Sequence, residues 1–206
     1  MKSFYIVKRA TDIFISLVVL LVFWPIFIII SVIIKLDSKG PVVFKQKRIG
    51  IYKSTFYILK FRTMRIDAPN DMPTHLLKDS GNMITSFGRF LRKTSLDELP
   101  QVLNILFGHM SMVGPRPALW NQFDLIEQRD VYNANDIKPG LTGWAQINGR
   151  DELTTDAKSK FDGEYAQEMS IYFDTYILMK TILKVLRKEG VKEGVKEGAT
   201  LDHNIL

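Results

Sequence analysis

The sequence predicts an α+β, mostly helical protein whose N-terminus is embedded in a membrane. Three observations predict this. Ile13 to Ile34 is a run of 22 residues without a charge. Two β-branched and aromatic segments follow it, separated by turn residues. Beyond them, apolar side chains recur at helical spacing over most of the chain. The predicted organisation is a membrane helix over 1–36, a folded domain over 37–188, and a flexible tail over 189–206.

The apolar run comes first. A helix of a soluble protein keeps a polar face, and here only Ser16, Ser31 and Pro25 interrupt large apolar side chains. Its length suits a membrane helix. Pro25 lacks an N–H and clashes with the preceding turn, so it bends or breaks the helix. Ile13 to Trp24 is 12 residues, about 18 Å of helix, against a hydrocarbon core of about 30 Å. Lys2, Lys8 and Arg9 precede the run; Lys35, Lys39, Lys45, Lys47 and Arg48 follow it. Basic flanks favour the cytoplasmic side. A helix broken at Pro25 that dips in and returns satisfies both flanks, so a re-entrant helix is expected.

Pro41 to Gln46 and Thr55 to Phe61, with turn residues Gly50 to Ser54 between them, predict a β-hairpin. Residues 67–83 read as a loop. Residues 84–93 and Leu96 to Phe107 predict helices, and Gly108 to Pro117 a turn-rich segment. Phe123 to Tyr132 predicts a helix, and 138–150 loop and short strand. Phe161 to Glu168 and Ile171 to Lys188 predict further helices. The last of these, apolar on one face and basic on the other, fits an amphipathic helix at a membrane surface or one packed on a core.

The composition excludes several classes of chemistry. No cysteine is present, which removes disulfides, thiolate metal clusters and a Cys nucleophile. There is no Walker loop, G-x-G-x-x-G or H-E-x-x-H. His75, His109 and His203 are scattered and are expected to be surface or loop residues. The formal net charge is +6, which raises nucleic-acid binding as a reading. The charge is uneven, however. Residues 1–36 carry +3, residues 37–66 carry +7 and residues 67–206 carry −4. The excess sits beside the apolar run, where anionic lipid lies.

Four segments carry candidate chemistry. In Arg92–Gln101, Ser95 and Glu98 have the spacing of a capping box, and Pro100 belongs in a first helical turn, which puts a helix start near Leu96. Asp97 and Glu98 then lie at a positive helix terminus, as a nucleophile and a metal ligand or as ordinary helix-start acids. In Met112–Pro117, two prolines fix the backbone around Arg116, whose guanidinium suits phosphate. Lys60 and Arg62, two apart, share one face of a strand and form a phosphate site or a basic sheet edge. In Lys138–Arg150, the glycines permit close backbone approach to a ligand. There Trp144, Gln146 and Arg150 suit a base, an amide edge and a phosphate.

These motifs resemble the bacterial sugar transferase family, the monotopic phosphoglycosyl transferases that begin glycan assembly on polyprenyl phosphate. The matching residues are Lys60-Phe-Arg-Thr-Met64, Thr94-Ser-Leu-Asp-Glu-Leu-Pro-Gln101, Val113-Gly-Pro-Arg-Pro117 and Pro139–Arg150. The resemblance implies transfer of a sugar-1-phosphate from a UDP-sugar to undecaprenyl phosphate, with release of UMP. It implies Asp97 as nucleophile through a covalent phosphosugar intermediate, and Mg²⁺ held by Asp97 and Glu98. Phosphate binding falls to Lys60, Arg62, Arg92 and Arg116, and the nucleotide-sugar loop to Gly140, Thr142, Gly143, Gln146 and Arg150. It further implies the cytoplasmic face of the bacterial inner membrane, contact with its lipids, downstream glycosyltransferases as partners and no nucleic acid. Small members often carry Ser-Pro at the helix break; Trp24-Pro25 here supplies no hydroxyl for the freed backbone group. A membrane-docked, non-catalytic binder of UDP-sugar or polyprenyl phosphate is the alternative reading.

Overall fold

The structure, a computed structural model, describes residues 2–69, 80–149 and 152–187. The predicted tail, Arg150 and most of the 67–83 loop lie outside these residues. Helix α1 (Lys2–Asp37) leads into strands β1 (Val43–Ile49) and β2 (Thr55–Phe61). Helices α2 (Ser80–Met83), α3 (Ser86–Lys93) and α4 (Gln101–Leu106) follow, then β3 (Ser111–Val113) and α5 (Phe123–Val131). Strand β4 (Gly140–Thr142), α6 (Trp144–Ile147), α7 (Thr155–Glu168) and α8 (Ile171–Arg187) complete the fold.

The expected hairpin forms: β1 and β2 are antiparallel, with Val43 opposite Phe61 and Ile49 opposite Thr55. Its reversal uses left-handed backbone at Tyr52 and Lys53. The segment read as turns after Gly108 instead contains β3, which pairs in parallel with β4, Ser111 opposite Gly140 and Val113 opposite Thr142. Phe56 and Ile58 of β2 pack with Ile105, Met110, Val113, Ile147, Tyr165 and Ile177 in the main core. A second cluster joins Ile30 and Ile34 of α1 to Phe61 and Leu91.

Helix α1 is one continuous helix across Pro25, without the break expected there. Among the described residues it is the one helix long and apolar enough to cross a membrane. Both of its ends are docked on the same domain. Near its start, Lys8 Nζ donates to Asp174 Oδ2 at 2.6 Å, to Tyr165 OH at 3.1 Å and to the Val113 carbonyl at 3.0 Å. Arg9 donates to the carbonyls of Ile105 and Leu106, filling the open C-terminal end of α4. Asp12 accepts from the Ser111 hydroxyl and the Met112 N–H. Near its end, Ile26, Phe27, Ile30 and Ile34 pack on Phe61 and Leu91. Between these anchorages Leu17, Val18, Leu21, Val22 and Trp24 are exposed.

Candidate active site

The site forms where β1, β2, α3, the turn before α4 and the segment after β3 converge. Alternation along β2 places Lys60 on the face of Ile58, and its ammonium reaches Glu98 Oε1 at 2.7 Å. Arg116 Nη2 donates to the same oxygen at 3.0 Å. Glu98 therefore holds two cations from distant parts of the sequence. Asp97, on the same turn, is buried.

The expected capping box is absent. Ser95 takes a left-handed conformation at φ 56° and its side chain caps nothing, while Leu96–Glu98 forms a single 3₁₀ turn. Glu98 is drawn to the two cations, which offer charge-assisted bonds stronger than one backbone N–H. The start predicted near Leu96 shifts for a second reason. Pro100 has no N–H to give the Leu96 carbonyl, so α4 begins only at Gln101. The left-handed Ser95 places backbone strain next to the candidate nucleophile.

Arg92 arrives from α3, its Nε donating to Thr63 Oγ1 at 2.8 Å. Helix α3 lies unusually close to Thr63: a Cβ added at Gly88 would sit 2.1 Å from the Thr63 carbonyl oxygen. Burial is the largest influence on Asp97 and pushes its carboxyl up. Lys60 pulls it down, Glu98 raises it, and Arg92 and Arg116 lower it. Burial likewise pushes the Lys60 ammonium down, against the pull of Glu98.

Two residues that sequence reasoning missed belong here. Arg48 donates through Nε and Nη2 to Gln46 Oε1, and through Nη1 to the Pro117 carbonyl at 2.9 Å. With the Ile49 N–H bonding the Ala118 carbonyl, this fastens β1 to the segment that carries Arg116. Burial, then neighbouring Arg116, push the Arg48 guanidinium down to about 9, against the pull of Glu98. The signal was present: Gln46 and Arg48 have the same two-residue spacing on a strand as Lys60 and Arg62.

Arg62 does not join the cluster. It donates to the carbonyls of Ser38 and Lys39 and to the Ser38 hydroxyl, closing the end of α1. Strand β2 ends at Phe61, so the alternation that set the expectation stops one residue short. Two glycines of the last motif admit close approach of neighbouring backbone, and Thr142, Gln146 and Gly149 line a cleft beside Glu98. A Cβ at Gly140 would lie 2.1 Å from Gly114 N, and one at Gly143 2.1 Å from the Gly114 carbonyl oxygen. Thr142 bonds the Thr181 hydroxyl at 2.7 Å, and Trp144 packs against Phe161, Phe173 and Tyr176. Gln146 Nε2 donates to the Leu141 carbonyl, and its buried Oε1 has no partner among the described residues. His109 stacks on Phe56. Among the described residues no three His, Cys, Asp or Glu side chains gather as a metal cluster.

The bacterial sugar transferase family model matches residues 3–188. The chain belongs to that family. It is 40% identical over 186 residues to a UDP-glucose:undecaprenyl-phosphate glucose-1-phosphate transferase of Escherichia coli K12, covering 87% of this chain and 40% of that protein. It is 38% identical to an uncharacterized sugar transferase, EpsL, of Bacillus subtilis 168, with 87% of each chain covered. It is 38% identical to the exopolysaccharide production protein ExoY of Rhizobium meliloti 1021, covering 85% of this chain and 83% of that one. The chain thus spans about two fifths of the E. coli relative and most of the other two.

Proposed function

We propose that this member of the family transfers a sugar-1-phosphate from a UDP-sugar to undecaprenyl phosphate, releasing UMP. The observation that carries the reading is the buried Asp97 beside a Glu98 braced by Lys60 and Arg116. An Asp97 oxygen attacks the phosphorus that bears the sugar, and the bond from that phosphorus to the bridging oxygen breaks. UMP leaves with the bridging oxygen and its electron pair. A phosphate oxygen of the lipid then attacks the same phosphorus, and the bond to Asp97 breaks, restoring the carboxylate. The products are UMP and a polyprenyl-diphosphate sugar, on which later glycosyltransferases would build.

A carboxylate nucleophile must be ionised. Burial opposes that at Asp97, while Lys60, Arg92 and Arg116 favour it. The same cations suit the diphosphate's charge, and Arg48 holds the Arg116 segment in place. Asp97 and Glu98 would hold Mg²⁺. Two carboxylates completed by substrate phosphates are a donor set this ion commonly takes. When bound, the ion offsets negative charge on the diphosphate.

The proposal includes a cytoplasmic-face, re-entrant placement of α1. Lys8 and Ile34 lie 26 positions apart, about 39 Å along a straight helix, yet both contact one polar domain. A straight crossing of the bilayer would draw that domain's backbone and charges into hydrocarbon. Laying the exposed apolar face of α1 along one leaflet leaves both anchorages on the same side.

Purified protein, Mg²⁺, undecaprenyl phosphate and a panel of UDP-sugars test the reaction, with UMP as the readout. UMP formation that disappears in Asp97→Asn is expected. No UMP from any UDP-sugar, or full activity in Asp97→Asn, would overturn the reading.

A further inference from the structure

A cleft of about 440 Å³ opens beside the carboxylates, lined by Val19 of α1, Lys93 at the end of α3, Glu98, and Thr181, Lys184 and Val185 of α8. Its size is that of a small-molecule site, about 300–1,000 Å³. Both helices at its walls present apolar faces to the outside. On α1 these are Leu17, Val18, Leu21 and Val22; on α8 they are Met179, Ile182, Leu183 and Leu186. The cleft is thus bounded by the two surfaces best suited to meet lipid.

Its charges are distinctive. Glu98 is already held by Lys60 and Arg116. Lys93 and Lys184 line the same space, and neither has an ion pair among the described residues. Glu152 lines the space too. A site with apolar walls, two lysines without an ion pair among the described residues and one end at Glu98 suits an isoprenoid chain ending in phosphate.

We infer that this cleft is where the acceptor lipid binds, its phosphate held by Lys93 and Lys184 and its first isoprene units lying between α1 and α8. The inference rests on the proposed transferase reading for the identity of the lipid. It also gives α8 a role. The Thr142–Thr181 bond at 2.7 Å ties α8 to β4 one turn before Lys184, which sets the lysine's height relative to the site.

Equilibrium binding of radiolabelled undecaprenyl phosphate tests this, using the full chain in micelles with Asp97→Asn to prevent turnover. Lys184→Glu and Lys93→Glu are each expected to raise the dissociation constant about tenfold. Lys180→Glu, an identical charge change on the exposed side of α8 where Lys180 stacks on Tyr176, is expected to leave it within about twofold. Lys184→Met, which keeps the apolar stem, gives the same direction should Lys184→Glu fail to fold. With Asp97 intact, Lys184→Met raises the KM for undecaprenyl phosphate and leaves that for UDP-sugar within about twofold. Unchanged lipid binding in both cleft lysine variants overturns the assignment, whatever the activity. A parent protein that binds the lipid through Lys184 but releases no UMP overturns the transferase reading and leaves the cleft assignment standing.

Discussion

Gly88→Ala isolates the coupling between α3 and the site. The new Cβ would sit 2.1 Å from the Thr63 carbonyl oxygen, 2.7 Å from its carbon and 2.8 Å from Thr63 Cα. All three are backbone atoms, so no side-chain rotation relieves the clash. Ordinary contact begins near 3.4 Å, so α3 must retreat by about 1.3 Å, an overpacking that costs about 1–3 kcal/mol. Arg92 lies four residues on, along the same face, and its 2.8 Å bond to Thr63 cannot survive that retreat unchanged. A misplacement of about 1 Å can cost about 100-fold in rate. UMP release is therefore expected to fall by about 10- to 100-fold in kcat/KM, together with a lower unfolding midpoint. Gly81→Ala is the control. Nothing lies within 4 Å of its Cβ, and alanine in a helix is favoured by about 1 kcal/mol. Activity of Gly88→Ala within twofold of the parent, or an equal loss in Gly81→Ala, would refute the reasoning.

Three further outcomes follow from the packing. Because the chain has no cysteine, Ser3→Cys and Ser38→Cys need no background removal; both are expected to react with an impermeant thiol reagent in inverted membrane vesicles and neither from the periplasm, and periplasmic labelling of Ser3→Cys would exclude the re-entrant placement. Lys8→Met leaves the buried Asp174 without its 2.6 Å partner and is expected to cost about 3–5 kcal/mol, whereas Lys8→Met combined with Asp174→Leu should cost less, read from thermal unfolding in detergent. Burial, and then Asp174, push the Tyr165 phenol above its ordinary range, so the folded state keeps a proton that the unfolded state loses near pH 10. That stability is fully present below about pH 10 and falls by about 1.4 kcal/mol per unit above it; Tyr165→Phe should flatten the slope in alkaline unfolding.

The hairpin, α3, α5 and α8 were legible because each carries its own period: alternation in Thr55–Phe61, helical spacing in Phe123–Val131 and in α8. Strand β4 fell within the short strand expected over 138–150, but β3 was not legible, since three residues show no alternation and only its pairing with β4 makes it a strand. The resemblance put Lys60, Glu98 and Arg116 in one site, but not the geometry at Ser95, where cations competing for Glu98 override a local capping pattern. Arg62 lies on the end of α1 and not beside Lys60, because spacing says which face a residue takes only while the strand lasts. Arg48 escaped notice because its importance comes from the Pro117 carbonyl, 69 positions away.

The two-ended grip on α1 has a consequence for how a scarce lipid is found. On the proposed placement, a domain fastened at Lys8–Asp12 and again at Ile30–Ile34 cannot swing about one flexible tether. Its cleft is held at one height and one tilt over the leaflet. The search for the acceptor then runs in two dimensions, by lateral diffusion of lipid toward a mouth that always faces it. Loosening either anchorage would slow capture while leaving every residue of the site in place.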